Sequence, residues 1–167
     1  MKNKQELPKS AHASHISILT RTFDASKGDV LEIGTGYFST LLLDWLGSIS
    51  NRVIFSYESN INWYQRAKKF ESQNHKIILC KDWDSADFDK KHWGLVFIDH
   101  DPPARRKVEV LRLAKKADFI VIHDTNPIYD QSYGYSVLWP KFKYVRHFKK
   151  YSPWTTVVSN FKKLTKI

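Results

Sequence analysis

The chain has 167 residues, with 27 Lys or Arg against 17 Asp or Glu and a formal net charge of +10. That length suits one domain with a real core and is short for two. A 42% hydrophobic and 26% charged composition excludes a disordered chain, and no stretch approaches the ~20 apolar residues that cross a bilayer. Met1 to Leu7 is polar and lacks the apolar core of a secretory signal, so the expected location is the cytoplasm, and the single Cys80 cannot form an internal disulfide. The positive charge invites a nucleic-acid partner, because clustered Lys and Arg release counterions from phosphates. Only the region from Lys141 onward carries an excess, with eight basic residues and no acid; elsewhere Lys is interleaved with acids as on a solvated surface.

In chain order, an N-terminal helical segment (residues 1–27) contains a helix over Ala11 to Phe23, with His15, Ile18, Leu19 and Thr22 near one face. Short apolar runs at Asp29 to Ile33, Val53 to Tyr57, Lys76 to Cys80, Leu95 to Ile98 and Phe119 to Ile122 read as strands. Between them lie helical stretches at Thr40 to Leu46, Ile61 to Ser72 and Arg105 to Lys116. Lys143 to Phe148 and Trp154 to Ser159 are two further strands around Ser152-Pro153. With no room for a crossover helix, they pair as an antiparallel hairpin. The expected fold is α/β: one doubly wound, mainly parallel seven-stranded sheet with a C-terminal antiparallel hairpin and helices on both faces.

In such a sheet, ligands bind over the carboxyl ends of the strands. The first strand runs into Glu32 and the turn Gly34-Thr35-Gly36, where glycines let the backbone bend sharply and come close to a ligand. Phe38 stands about where the third glycine of a dinucleotide fingerprint would be, which disfavours a nicotinamide cofactor. The other strands end at Glu58, Asp82, Asp99 with His100, and His123 with Asp124, so all five ends present an acid. Glu58 follows Gly34 by 24 residues, close to the ~20-residue interval at which an acid accepts from ribose hydroxyls.

Over roughly residues 28–160 the chain resembles the class I S-adenosylmethionine-dependent methyltransferases. The resemblance is carried by Val-Leu-Glu-Ile-Gly-Thr-Gly, the segment ending at Glu58, the Asp82-Trp83 pair and the run into Asp99. The second half also resembles a group of small bacterial methyltransferase-like proteins of unnamed substrate. The resemblance implies S-adenosyl-L-methionine as cofactor. Glu32, Gly34, Thr35, Gly36 and Ser39 would surround its methionine part, Glu58 and Ser59 its ribose, and Asp82 and Trp83 its adenine, with Asp99 near the ammonium or the reacting centre. An acid-lined cleft suits a cofactor bearing an ammonium and a sulfonium and no pyrophosphate.

Methyl transfer to a hydroxyl needs alignment and a base. The candidates are His123, His100 and Asp99, with His123 preferred because it follows an apolar strand at the cleft mouth; a scaffold role for His123 is the alternative. Catechol-type O-methyltransferases hold a divalent ion with an acid after the fourth strand and an Asp-Asn pair after the fifth. Asp99 and Asp124 match in position, but Thr125 replaces the Asn, and no metal ligand is assigned. Asp101-Pro102-Pro103 is similar to the loop of amino-methyltransferases, but Ala104 lacks the stacking aromatic. Arg105 and Arg106 either face an anionic group or, on balance, are solvated. Residues 126–140, with Tyr129, Tyr133, Tyr135 and Trp139, form a substrate lid or pack a long loop onto the sheet. The leading function is O-methylation of a small hydroxylated acceptor, sugar-like or aromatic. The alternatives are an RNA or DNA methyltransferase using the basic C-terminal surface, and a non-catalytic ligand-binding module.

Overall fold

A computed structural model describes residues 10–167; the polar start of the chain, Met1 to Leu7, lies outside the described residues. Seven strands form one sheet: β1 (Val30–Ile33), β2 (Ile54–Glu58), β3 (His75–Leu79), β4 (Trp93–Ile98), β5 (Ala117–Ile122), β6 (Tyr144–Phe148) and β7 (Thr155–Ser159). Their order is β3-β2-β1-β4-β5-β7-β6. β1 to β5 pair in parallel, and β7 runs antiparallel to both β5 and β6. The expected doubly wound sheet with its terminal hairpin is thus the observed one, and strand order reverses between β1 and β4.

The central strands are apolar on both faces because both are covered. Leu31, Ile33, Val96, Ile98, Ile120 and Ile122 join a cluster with Val110 and Leu113 of α4 (Arg106–Leu113). Val30, Leu95, Phe97, Phe119 and Val121 face the other way, onto Ile18, Leu19 and Phe23 of α1 (Ile16–Ala25) and Leu43 of α2 (Ser39–Ser50). α2 outlasts its expected end at Leu46. Gly47 lies inside this helix, where a Cβ would come within 2.7 Å of Ile54 and only glycine fits, and the helix stops at Asn51, whose φ of +53° is the left-handed conformation of a C-terminal cap. α3 (Ile61–Ala67) begins at Asn60, whose side-chain oxygen accepts from the N–H groups of Asn62 and Trp63.

The segment expected as a lid is folded down on the sheet's end. Tyr135 is buried and donates to the His123 carbonyl (3.3 Å), its ring stacks on Tyr133 at 5.0 Å, and Trp139 packs against His147. No residue from 126 to 140 lines the main cleft.

Candidate active site at the carboxyl ends of the strands

A cleft of about 700 Å³ opens over the ends of β1, β2, β4 and β5, in the size range of small-ligand sites. The turn Gly34 to Ser39 and the pair Glu58-Ser59 bound one side, Asp99, His100, His123 and Asp124 the floor and far side. Sequence reasoning missed several lining residues: Ala11, His12 and His15 from the start of the described chain, Tyr37, Asn60 and Trp63 at the rim, and Pro153 from the β6–β7 turn.

Gly34 has φ +91°, and a Cβ there would lie 2.5 Å from the His100 Cα. The bare backbone is therefore required by the neighbouring β4 loop, which lets the two crossovers close against each other; Gly36, without a positive φ, is the glycine left facing the cleft.

Glu58 is the acid the fold aims into this space. Its Oε2 accepts from the Thr35 N–H and hydroxyl, both at 2.8 Å, and its Oε1 from the Asn60 N–H at 2.8 Å. Three bonds leave about one of the carboxylate's four lone-pair sites for a ligand hydroxyl.

Glu32 sits below the cleft, not in it. On β1 it shares a face with Val30, so α2 covers it completely. Thr40 donates to its carboxylate at 3.1 Å and Ser56 at 2.5 Å. Ser56 in turn meets His75 Nε2 at 2.8 Å, and His75 Nδ1 meets Asp44 at 3.0 Å. Burial pushes the Glu32 carboxyl up to about 7 from 4.5, against the pull of bonds from Ser56, Ser39 and Thr40. The network touches the cleft through the Gly36 N–H, which donates to Thr40 Oγ1 at 2.9 Å. Asp82 is exposed outside the cleft lining. Trp83 is buried with its indole N–H on the Asp101 carbonyl and its ring 4.6 Å from His100, so neither borders the space where the other assigned residues meet.

Arg106 corrects the expectation of a solvated side chain. It is 4% exposed and its Nη1 bridges Asp99 Oδ1 (2.8 Å) and Asp124 Oδ2 (3.1 Å), while Nε donates to the His100 carbonyl (2.6 Å). Tyr133 lies over the guanidinium at 5.0 Å and donates to Asp124 at 3.1 Å. The acid pair that matches the catechol-type metal ligands is thereby joined by a fixed cation. Arg105, equally, is paired with Asp84 and with Glu109 (2.9 Å). Asp124 holds a φ of +57°, a conformation Asp tolerates better than most residues and which turns its carboxylate back toward Arg106.

His123 has a defined proton pattern. The Ser14 hydroxyl donates to the Pro153 carbonyl (2.8 Å), so its oxygen can only accept from His123 Nε2, 2.9 Å away. On the other side Nδ1 faces Asp99 Oδ2 at 3.2 Å and Asp124 Oδ1 at 3.4 Å. With a hydroxyl oxygen on one side and carboxylates on the other, the surroundings favour the doubly protonated imidazolium. Burial opposes that charge, but Asp99 and Asp124 outweigh it and raise His123 above 6.5; for Asp99, burial is likewise outweighed by His123 and Arg106, and its carboxyl falls to about 2. Surroundings that favour the proton on His123 work against its use as a base and suit the scaffold role. His100 is buried with Nε2 at 3.2 Å from Glu109, and burial keeps it neutral.

No protein-family profile matches the chain, and no curated protein matches it. Solved structures do. The human methyltransferase 10 domain containing protein superposes with a TM-score of 0.66 at 13% identity, over 94% of this chain and 85% of that one. The N-terminal domain of human METTL16 in complex with SAH gives 0.64 at 11%, over 97% and 75%. A Staphylococcus aureus protein described as a caffeoyl-CoA O-methyltransferase gives 0.64 at 14%, over 94% and 87%. At these identities the likeness is one of architecture: the chain has the class I methyltransferase fold.

Proposed function

We propose that the chain is an S-adenosyl-L-methionine-dependent methyltransferase acting on a small hydroxylated acceptor, sugar-like or aromatic. The observation that carries the reading is the placement of Glu58 at the end of β2, bonded to the Gly34–Gly36 turn on the wall of a cleft of about 700 Å³. The donor set fits the cofactor. Glu58 keeps an acceptor site for a ribose hydroxyl, and the carboxylates of Glu58, Asp99 and Asp124 outnumber the charges of Arg106 and His123, which favours a cationic ligand. When bound, the cofactor supplies an electrophilic methyl group. The chain's own residues bind it and fix the floor through the Arg106–Asp99–His123 pairs. The aromatic rim of Tyr37 and Trp63 (ring centroids 4.9 Å apart) suits an acceptor of few rings. METTL16 was solved with SAH and the Staphylococcus protein is described as an O-methyltransferase, so the fold houses both the cofactor class and the chemistry.

Thermal unfolding with S-adenosylmethionine or S-adenosylhomocysteine tests the reading. A hundredfold excess over the dissociation constant stabilises by about 2.7 kcal/mol, and Glu58→Ala should abolish most of that shift. An indifferent melting curve at millimolar ligand refutes cofactor binding. If the cofactor binds, turnover with a panel of hydroxylated acceptors then tests the acceptor class.

One observation favours a nucleic-acid acceptor. A separate groove of about 260 Å³ is lined by Arg21, Arg146, Lys149, Lys150 and Tyr151, and Lys149 lies 4.7 Å over the Trp154 ring. Salt-steep binding to RNA, with loss on Lys149→Glu/Lys150→Glu, would transfer the proposal to that acceptor.

A further inference from the structure

We propose that His15, His123 and Asp99 form a site for one divalent transition-metal ion at the floor of the cleft. One ligand atom from each of the three lies within 4.8 Å of the others, and all three residues line the cleft. The closest pair is already spaced as bound ligands are. His123 Nδ1 and Asp99 Oδ2 stand 3.2 Å apart, and two ligands side by side on one ion at ~2.1 Å are about 3.0–3.4 Å apart. The remaining closure, from at most 4.8 Å to the ~3.4 Å of adjacent ligands, falls to the His15 ring, which sits just before α1 rather than in the sheet.

The second observation is His15 itself. It is 2% exposed, sits just before α1, and packs at 4.8 Å from both Phe97 and His123, yet neither of its ring nitrogens has a hydrogen-bond partner. An imidazole brings one N–H and one lone pair, and leaving either without a partner inside a protein carries a desolvation cost that nothing repays. Apolar contact alone would be served better by Phe or Leu. An ion in the cleft gives the bare nitrogen the partner the protein does not.

The surroundings match those of a bound ion. A metal-ligating His holds its other nitrogen in an outer hydrogen bond, and Ser14 does this for His123 Nε2 at 2.9 Å. Arg106 holds the outer oxygen of Asp99, leaving Oδ2 to turn inward, and Asp124 adds a second negative charge 3.4 Å from His123 Nδ1. Two imidazoles and one carboxylate select zinc or iron(II) over magnesium, which prefers an all-oxygen shell. Arg106 opposes the ion's charge, so the expected affinity is micromolar. Loading displaces the His123 proton, and the open coordination positions face the cleft.

The site does not depend on the methyltransferase reading: cofactor binding is measured on chelator-treated protein and metal binding without cofactor, so either can fail alone. Chelator-treated protein is titrated with zinc chloride by calorimetry and with cobalt(II) chloride by visible absorption, with magnesium chloride as control. The expected result is one equivalent of zinc or cobalt and none of magnesium. Binding should weaken by at least ~100-fold in His15→Phe and Asp99→Asn, and stay unchanged in His92→Ala, a half-exposed surface histidine paired with Asp118. His15→Phe fills the same space, so its metal-free melting temperature should equal or exceed that of the wild type; His15→Gln serves if the larger ring disturbs packing. No stoichiometric binding by the wild type, or binding that survives both His15 variants, would overturn the site.

Discussion

Glu32 gives the sharpest quantitative test, because it is a fully covered carboxyl whose ionisation the fold resists. A rise from 4.5 to about 7 corresponds to about 3 kcal/mol, at ~1.4 kcal/mol per tenfold change in proton affinity. No solvent screening reduces this, since the side chain has no exposed surface. The sign follows from proton counts. Between pH 4.5 and about 7 the folded protein keeps the Glu32 proton while the unfolded chain has lost it, so stability falls as pH rises. The contribution is complete below 4.5 and gone above about 7. Glu32→Gln removes the titration, whatever constant offset the amide adds at Ser56 and Thr40. Urea unfolding of both proteins at a series of pH values should show the difference, variant minus wild type, climbing by about 3 kcal/mol between pH 4.5 and 7.5 and then levelling. A difference that stays flat across that range would refute the claim that burial dominates at Glu32.

Three other outcomes follow from the same geometry. Arg106→Leu strands Asp99 and Asp124 without their shared cation and should destabilise by about 3 kcal/mol at neutral pH, read by chemical unfolding, with part of the loss relieved in acid as Asp99 protonates. Gly34→Ala meets both the His100 backbone at 2.5 Å and a φ of +91°, so it should cost more than 2 kcal/mol of stability, whereas Gly36→Ala, with only Ser39 Oγ at 3.2 Å, should cost roughly 1 kcal/mol or less on the same measurement. Nitrogen-15 spectra of the imidazole should show His123 doubly protonated at pH 7 in metal-free protein and neutral in Asp99→Asn; because its affinity for the proton is raised, this ion pair stabilises the fold below about 6.5 and ceases to do so as pH climbs through the higher folded value. A neutral His123 in the wild type would return it to the role of base.

How far the sequence reached depended on whether a feature was local. Each parallel strand announced itself as an apolar run between turn residues, and the spacing from Gly34 to Glu58 found the one acid that fills the front of the cleft. Period-two alternation could also have shown that Glu32, sharing a side with Val30, turns away from the opening. Other features depended on packing. Arg106 reads as a surface residue in an otherwise charged helix, and its burial emerges only when β4 and β5 bring Asp99 and Asp124 to either side of it. His15 was placed on the apolar face of its helix with Ile18 and Leu19, but no pattern along the chain says that this face meets the end of β5. Likewise the aromatics of residues 126–140 look alike whether they cover a ligand or a sheet edge; their mutual stacking and their bonds to His123 and Asp124 decided for the edge.

The sheet order also brings distant parts of the chain together at the cleft. β7, late in the chain, slots between β5 and β6, and the turn leading into it presents the Pro153 carbonyl that orients Ser14, while Trp154 exchanges bonds with Thr125 and Asn126. Residues at the ends of the parallel strands, Asp99 and Asp124, hold His123 on one nitrogen only; the partner on the other depends on the turn before β7. The seventh strand thus completes the surroundings of a side chain that the fifth delivers.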